Sequence, residues 1–161
     1  MTKKGYYAAP LFSHMELQYN EFLVGKIREA YPELGLYVPQ ENGEINDKNA
    51  YADSILIAKQ DTDRLLESNI MIAILDGQTM DVGVATEIGV AYQAGIPVVA
   101  LFSDSRQQGA TNEKKLAALQ EVAESQFPYV NLYTIGLIKT NGVVVNNTDD
   151  LITKIGHYLN N

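Results

Sequence analysis

The sequence predicts an α/β protein with a doubly wound, mostly parallel sheet of five strands and helices on both faces. Short apolar runs bounded by turn residues alternate along the chain with segments of helical period. Two of these runs, residues 69–77 and 96–102, are apolar on both faces, as in the middle of a helix-covered parallel sheet. The length of 161 residues fits one domain, which we expect to span residues 1–161.

The chain begins with a strand and a capped helix. Residues 5–10 form the first strand, and Pro10 ends it because proline cannot donate to a sheet. Ser13 and Glu16, three positions apart, make the capping box of a helix that runs to about residue 31.

The middle of the chain supplies the next two strands. Residues 34–39 read as a short strand, followed by a polar loop at 40–49. A long helix is predicted from about residue 52 to 67, and the apolar third strand follows it at 69–77.

A fourth strand follows a helix that has clear signals at both ends. Asp81 can cap this helix and Gly95 can end it, and the strand occupies 96–102. A polar loop is expected at 103–112, and residues 112–125 are amphipathic.

The last part of the chain is less clearly patterned. The apolar residues 129–145 show no pattern that assigns them to a helix or a strand, and Thr148 is expected to cap a final helix to about residue 159. In flavodoxin-like or Rossmann-like sheets, ligands bind outside the carboxyl ends of the strands. The segments following the first four strands are rich in polar atoms: AAPLFS, PQENGE, DGQTMD and SDSRQQ.

Glu87 is a carboxylate among small and apolar neighbours on its predicted helix. Its same-face neighbours on a helix are small or apolar, namely Gly83, Val84, Val90 and Ala91. A buried carboxylate without a partner is costly, and Gly83 leaves room for a ligand to approach it. The other interpretation is a solvated polar stripe that Glu87 shares with Thr86 and Gln93. A perturbed carboxylate is typical of functional sites, so Glu87 is a candidate for one.

Asp61 repeats this pattern on the preceding helix. It shares a face with Ile57, Ala58 and Leu65, whereas Asp63 lies on the side of Lys59. Asp61 is therefore a candidate for the site, or alternatively a charge at the edge of the apolar face. Tyr6 and Tyr7 end the first strand beside the expected site, so one faces the core and the other a ligand, and the sequence leaves open which does.

Composition narrows the classes of function. Twelve basic and 20 acidic residues give a formal charge of −8, which disfavours contact with nucleic-acid phosphates. The absence of cysteine excludes disulfides and thiolate metal sites and agrees with a cytoplasmic protein. No apolar run approaches the ~20 residues of a membrane span, and the first residues lack the pattern of a signal peptide. We expect a small neutral ligand, and neither a nucleic-acid nor a membrane partner.

The sequence does not support a phosphate-binding loop or a metal site. A phosphate loop needs GxxxxGK, but the nearest glycine pair, Gly77 and Gly83, is followed by Val84 where lysine belongs. His14 and His157 lie near opposite ends of the chain without metal-ligand spacing, so we expect no metal site. No cofactor is expected.

Four stretches in this order resemble the nucleoside 2-deoxyribosyltransferase family: YYAAPLF, YVPQ, KQDTDRLLESNIMIAILDG and DVGVATEIGVAYQAGIPVVAL. The similarity runs from residue 5 to about 140 and includes Asp61, Asp81 and Glu87 at family-like spacing. It implies transfer of a 2-deoxyribosyl group from a 2′-deoxynucleoside to a free nucleobase. Glu87 would be the nucleophile that forms a covalent deoxyribosyl-enzyme.

The same resemblance implies roles for further residues. Tyr6 would orient the glutamate, with Tyr7 beside it leaving the register open. Asp61 and Asp81 would contact the nucleoside, and one of them would protonate the leaving base. We favour Asp61, which has the more apolar background.

Other implied contacts lie further along the chain. Phe12 would stack on the base, and Gln40 would hydrogen-bond its edge. Asn131 would reach the sugar bound by a neighbouring subunit, which implies a homo-oligomer with sites completed across the interface.

Two further functions fit the same resemblance. One is a hydrolase of 2′-deoxynucleoside 5′-monophosphates, an N-glycosidase with an equivalent glutamate. The loop AAPLFSHME has no arginine to hold a phosphate, which argues against it. The other is a non-enzymatic sensor of nucleotide derivatives, which would have no need of Asp61, Asp81 and Glu87 together.

Overall fold

The centre of the structure is a five-stranded sheet whose strands all pair in parallel. The computed structural model describes residues 2–47, 49, 51–106, 111–125 and 128–160. Within them the strands are β1 (Lys4–Ala8), β2 (Gly35–Tyr37), β3 (Ile70–Ile74), β4 (Val98–Leu101) and β5 (Gly142–Val145). Their spatial order, β2-β1-β3-β4-β5, confirms the predicted doubly wound α/β fold and reverses direction between β1 and β3.

Helices cover both faces of this sheet. The described helices are α1 (His14–Ala30), α2 (Gly43–Asn46), α3 (Ser54–Leu66), α4 (Val82–Gln93), α5 (Glu113–Ala118), α6 (Leu132–Thr140) and α7 (Thr148–Asn160). Buried residues of α1 and α7 share one core with the sheet, and those of α3, α4 and α6 share the other. In the part of the chain that the structure describes, no helix is both long and apolar enough to cross a membrane.

Strand β1 sends its side chains alternately to the two cores. Tyr6 and Ala8 pack with α3 and α4, whereas Tyr7 packs with α1 and α7. β1 is also the strand at which the sheet changes direction. The side chains at its carboxyl end therefore lie at the place where such sheets bind ligands.

The predicted capping signals hold at α1 and α4, and α3 begins with a cap that was not predicted. The Ser13 hydroxyl accepts the N–H of Glu16, whose carboxylate accepts the N–H of Ser13. Asp53 caps α3, and Asp81 caps α4 as the sequence predicts. These caps satisfy N–H groups that have no partner inside their helices.

The structure assigns the apolar segment 129–145, which the sequence pattern leaves open. It divides into α6 and β5. Ile135 and Ile138 of α6 are buried, but Leu132 and Tyr133 are 78 % and 76 % exposed. Because both sides of α6 are apolar, no helical period shows in the sequence.

Smaller differences concern caps and loops. Asn147, not Thr148, caps α7 by accepting the N–H of Asp150 at 2.9 Å. Residues 112–125 are helical only in α5, and the predicted loop 40–49 contains α2 after a 3₁₀ turn at Pro39–Glu41. Parts of two predicted loops, residues 48 and 107–110, lie outside the described residues.

Candidate active site

Glu87 of α4 and Tyr6 of β1 are joined by a hydrogen bond between their side chains. Tyr6 is fully buried, and its hydroxyl donates a hydrogen bond of 2.6 Å to Oε1 of Glu87. This length is typical of a hydroxyl that donates to an ionised carboxylate. The bond holds one oxygen of Glu87 in a fixed position, so the glutamate predicted to be unusual is oriented by a strand tyrosine.

The second oxygen of Glu87 is free to react. Oε2 has no hydrogen-bond donor among the described residues. Every buried side-chain oxygen or nitrogen of those residues has a hydrogen-bond partner. Because Oε2 has no partner, it is not buried and lies at accessible surface. Glu87 thus combines one anchored oxygen with one oxygen that a ligand can approach.

The surroundings of Glu87 make it a weak acid. Burial raises the pKa of its carboxyl from 4.5 to about 7, the Tyr6 hydrogen bond opposes this rise, and the negative charges of Asp61 and Asp81 add to it. Roughly half of the carboxyl is therefore ionised at neutral pH. Such a group is more basic than an ordinary carboxylate and still available as an anion.

Asp61 faces the same place from α3. Oδ1 of Asp61 accepts a hydrogen bond of 3.1 Å from the hydroxyl of Tyr37, and the rings of Tyr37 and Tyr6 lie 5.5 Å apart. Asp61 is half-buried, and this burial raises its pKa while the bond from Tyr37 lowers it. Tyr6 and Tyr37 therefore connect the two carboxyl groups through one aromatic pair.

The apolar face predicted around Asp61 is only partly core. Leu65 is buried, but Ile57 is 37 % exposed and Ala58 is also exposed. Asp63 lies on the side of Lys59, as predicted, and forms an ion pair with it one turn away. Asp61 is thus distinguished from Asp63 by its tyrosine partner as well as by its neighbours.

Asp81 and Gly83 form a matched pair at the start of α4. Oδ2 of Asp81 accepts the N–H of Val84 at 3.0 Å, which makes Asp81 the cap of the helix. A side chain at position 83 would place its Cβ 2.9 Å from that oxygen. Gly83 therefore makes room for the Asp81 carboxylate itself, one turn before Glu87.

Tyr7 lies on the opposite face of the sheet from Glu87. Its hydroxyl donates to Oδ1 of Asn20 at 3.0 Å, and its side chain is 1 % exposed. Tyr6 is therefore the tyrosine that faces the carboxylates, which resolves the register that the sequence left open. A direct contact between Tyr7 and a ligand would require the chain to rearrange.

Gln40 belongs to the same network as Tyr7. Its Oε1 accepts from Asn20, and its Nε2 donates to the carbonyl oxygen of Leu17. Both ends of this amide are therefore engaged within the chain. Any bond from Gln40 to a base has to replace or share one of these contacts.

Phe12 and Asn131 are exposed at the rim. Phe12 follows β1 and is 79 % exposed. Asn131 caps α6 by accepting the N–H of Thr134 at 3.2 Å, and its amide nitrogen has no partner among the described residues. Neither side chain is hydrogen-bonded to Glu87 among the described residues, and their contacts with a base and with a neighbouring subunit's sugar stay predictions.

Tyr37 and Asn42 were missed as site residues. Tyr37 ends β2, and Asn42 Nδ2 donates to the Tyr37 hydroxyl at 3.0 Å. The rule that sites form at the carboxyl ends of parallel strands could have identified Tyr37. Applied to β2 as it was to β1, that rule selects Tyr37.

The chain is similar to one known protein family over most of its length. The family described as Nucleoside 2-deoxyribosyltransferase matches residues 6–121, a segment that contains Tyr6, Asp61, Asp81 and Glu87. Asn131 lies beyond it. No curated protein sequence matches the chain.

Solved structures that resemble the chain include the following three. A conserved protein from Enterococcus faecalis V583 is 57 % identical with a TM-score of 0.93, covering 98 % of this chain and 99 % of that one. A 2-deoxyribosyltransferase from Bacillus psychrosaccharolyticus is 18 % identical with a TM-score of 0.62, covering 92 % and 90 %. A CMP N-glycosidase from Clostridium botulinum is 18 % identical with a TM-score of 0.51, covering 97 % and 99 %. The last two similarities concern the fold alone.

Proposed function

The chain belongs to the nucleoside 2-deoxyribosyltransferase family, and from this membership we propose that it transfers the 2-deoxyribosyl group of a 2′-deoxynucleoside to a free purine or pyrimidine base. The observation that carries the proposal is the Tyr6–Glu87 pair. One glutamate oxygen is held at 2.6 Å by a buried hydroxyl, and the other is accessible. A carboxylate held in this way suits nucleophilic attack on an anomeric carbon.

In the first half of the proposed reaction, Oε2 of Glu87 attacks C1′ of the nucleoside. The C1′–N bond breaks, its electron pair passes to the base, and the base takes a proton from a neighbouring acid. Asp61 fits this role because burial raises its pKa, which favours the protonated form more than in an ordinary aspartate. Asp81 is the other candidate, although one of its oxygens is already occupied by the cap of α4.

In the second half, a free base attacks C1′ from the side that the first base left. The ester bond to Glu87 breaks, and the carboxylate departs with its electron pair. The incoming base returns its proton to the acid. The Tyr6 hydroxyl assists both halves because it stabilises the anion of Glu87 before attack and again on departure.

The carboxylate set suits an uncharged substrate. Asp61, Asp81 and Glu87 lie close enough that the first two raise the pKa of the third. None of the ion pairs among the described residues involves them, so no cation is paired with this cluster there. A phosphate would be repelled, which favours a nucleoside over a nucleoside monophosphate.

We expect the working site to be completed by a second copy of the chain. Large apolar side chains are exposed in the segments that follow the carboxyl ends of the strands, namely Phe12, Ile55, Val82, Leu132 and Tyr133. Large apolar side chains that are exposed near one edge of a sheet are typical of protein contacts. Phe12 would then stack on the base, Gln40 would contact its edge, and Asn131 would serve the neighbouring subunit's site.

The test is a base-exchange assay. The protein is incubated with deoxyinosine and either cytosine or adenine, and new deoxynucleosides are separated by chromatography. Formation of deoxycytidine or deoxyadenosine that is lost in Glu87→Ala supports the proposal. Equal exchange by a folded Glu87→Ala variant would remove Glu87 as the nucleophile.

The same assay distinguishes a transferase from an N-glycosidase, which is a hydrolase. An N-glycosidase would release hypoxanthine and free deoxyribose without forming a new nucleoside. It would also prefer the 5′-monophosphate, against the charge of the site. Release of base without exchange from deoxyinosine monophosphate would assign the chain to that reaction instead.

A further inference from the structure

Tyr37 links Asp61 to a chain of amide side chains. The hydroxyl of Tyr37 donates to Oδ1 of Asp61 at 3.1 Å and accepts from Nδ2 of Asn42 at 3.0 Å. The same nitrogen of Asn42 donates to Oε1 of Gln60 at 3.1 Å, and Gln60 Nε2 donates to Glu44. Asp61 is therefore held by a network that starts on β2 and extends to α2.

The direction of this network is fixed by a backbone group. Oδ1 of Asn42 accepts the N–H of Glu44 at 3.1 Å. A backbone N–H can only donate, so the oxygen of the Asn42 amide must face it and the nitrogen must face Tyr37. The oxygen of Tyr37 is thus an acceptor toward Asn42, and its single proton is directed to Asp61.

We propose that Tyr37 is a positioning residue that occupies Oδ1 of Asp61, so that Asp61 presents Oδ2, and any proton it carries, to the leaving base. The inference rests on the proposed function and deepens it. The Tyr37 bond occupies Oδ1, while Oδ2 has no donor among the described residues and reaches accessible surface. The proton moves from Oδ2 to the base nitrogen as the C1′–N bond breaks, and Tyr37 keeps its own proton throughout.

The groups around Asp61 and the Tyr37 hydroxyl act together on the pKa of Asp61. Glu87 on α4 and Tyr6 on β1 face it, and the Arg64 guanidinium lies 5.6 Å from the centre of the Tyr37 ring. Burial raises the pKa of Asp61, and the bond from Tyr37 opposes that rise. Burial also raises the pKa of Tyr37, so its hydroxyl stays protonated at neutral pH. Without the hydroxyl, the pKa of Asp61 should rise further.

The test is Tyr37→Phe, which keeps the ring and removes the hydroxyl. Activity requires the protonated form of Asp61, so the alkaline limb of the kcat profile should move up by about one pH unit. Near neutrality, kcat with deoxyadenosine should fall about tenfold, because Asp61 is no longer held in place. A nitrophenyl 2-deoxyriboside, whose leaving group needs no proton, should react at nearly the original rate. Tyr31→Phe is the matched control, since it removes a hydroxyl bonded to the Ile152 carbonyl.

A second variant keeps Tyr37 and reverses the direction of the hydrogen bond between residue 42 and the Tyr37 hydroxyl. In Asn42→Asp, one carboxylate oxygen still accepts the Glu44 N–H, so the cap of α2 is retained. The other oxygen can only accept, so it competes with Asp61 for the proton of Tyr37. The alkaline limb should move in the same direction as in Tyr37→Phe. Gln60→Glu adds the same charge one residue further along the network and should move the limb much less.

A measurement without turnover separates the two proposals. The carboxyl carbon of Asp61 is titrated by NMR in the unmodified protein and in Tyr37→Phe. A higher pKa in the variant supports the role of Tyr37, even if no base exchange is found and the proposed function fails. An unchanged Asp61 titration, or an equal loss with both substrates and an unmoved alkaline limb, would overturn it.

Discussion

Replacing Glu87 by glutamine should abolish base exchange and at the same time stabilise the fold. Burial raises the pKa of Glu87 from 4.5 to about 7, so the folded chain resists an ionisation that the unfolded chain undergoes freely. The free energy of unfolding therefore falls as pH rises from about 4.5 to about 7 and is constant above that range. Glutamine has nearly the same shape, can still accept from Tyr6, and carries no charge.

The size of the effect follows from the two pKa values. A shift from 4.5 to about 7 corresponds to about 3 kcal/mol at pH 8 and about 1.5 kcal/mol at pH 5.5. Glu87→Gln should recover most of each amount. The gain in stability should thus double, roughly, between the two pH values.

Urea unfolding monitored by far-UV circular dichroism measures this directly at both pH values, since the chain has no tryptophan. Glu41→Gln is a control of opposite sign, because Glu41 pairs with Arg28 and its pKa is lowered. That variant should gain nothing at pH 8. A Glu87→Gln gain that is absent, or equal at pH 5.5 and pH 8, would refute the burial argument whatever the reaction proves to be.

Three further predictions concern the reaction. Tyr6→Phe removes a donor to ionised Glu87, a bond of about 1.5–3 kcal/mol, so the acid limb of the rate profile should move up by about one to two pH units. The rate at pH 7 should then fall about five- to fiftyfold and recover at higher pH; a uniform loss at all pH values would contradict this. Asp61→Asn should lower exchange with deoxyadenosine by about 10²–10⁴ and much less with a nitrophenyl 2-deoxyriboside, whereas Asp63→Asn should change little. Initial rates of both variants check this, and equal damage from both would exclude Asp61 as the acid. Deoxyadenosine should react faster than adenosine, because a 2′-hydroxyl would compete for the oxygens of Glu87; comparable rates would count against this arrangement.

The sequence predicts the fold more completely than the site. Strong local signals, such as the Ser13 capping box and the fully apolar β3, depend on neighbours a few residues away and appear in the structure. α6 escapes prediction because its outer side chains Leu132 and Tyr133 are as apolar as its inner ones. The helical period is visible only when one side of a helix is polar.

The carboxylates of the site could be found because they are anomalous in their own helices. Glu87 stands among small and apolar residues, and the structure gives it a buried tyrosine partner. Tyr37 is different, because a tyrosine at the end of a strand is unremarkable in sequence. Its importance comes from Asn42 and Asp61, which the fold brings to it from two other elements.

Because Tyr6 and Tyr7 are adjacent in β1, the register of this strand in the sheet decides which of them reaches Glu87. A shift of one residue would exchange the two faces and move either Tyr7 or Gly5 into the place below Glu87. Because Tyr6 and Tyr7 are identical, their own preferences do little to resist such a shift. Gly5 opposes it: a Cβ at its place would lie 3.1 Å from Leu36 Cδ1, so a larger side chain there would force Leu36 to move. A shift in either direction would put Lys4 or Tyr6 there, so the smallest side chain of the strand sets which phenol reaches the glutamate.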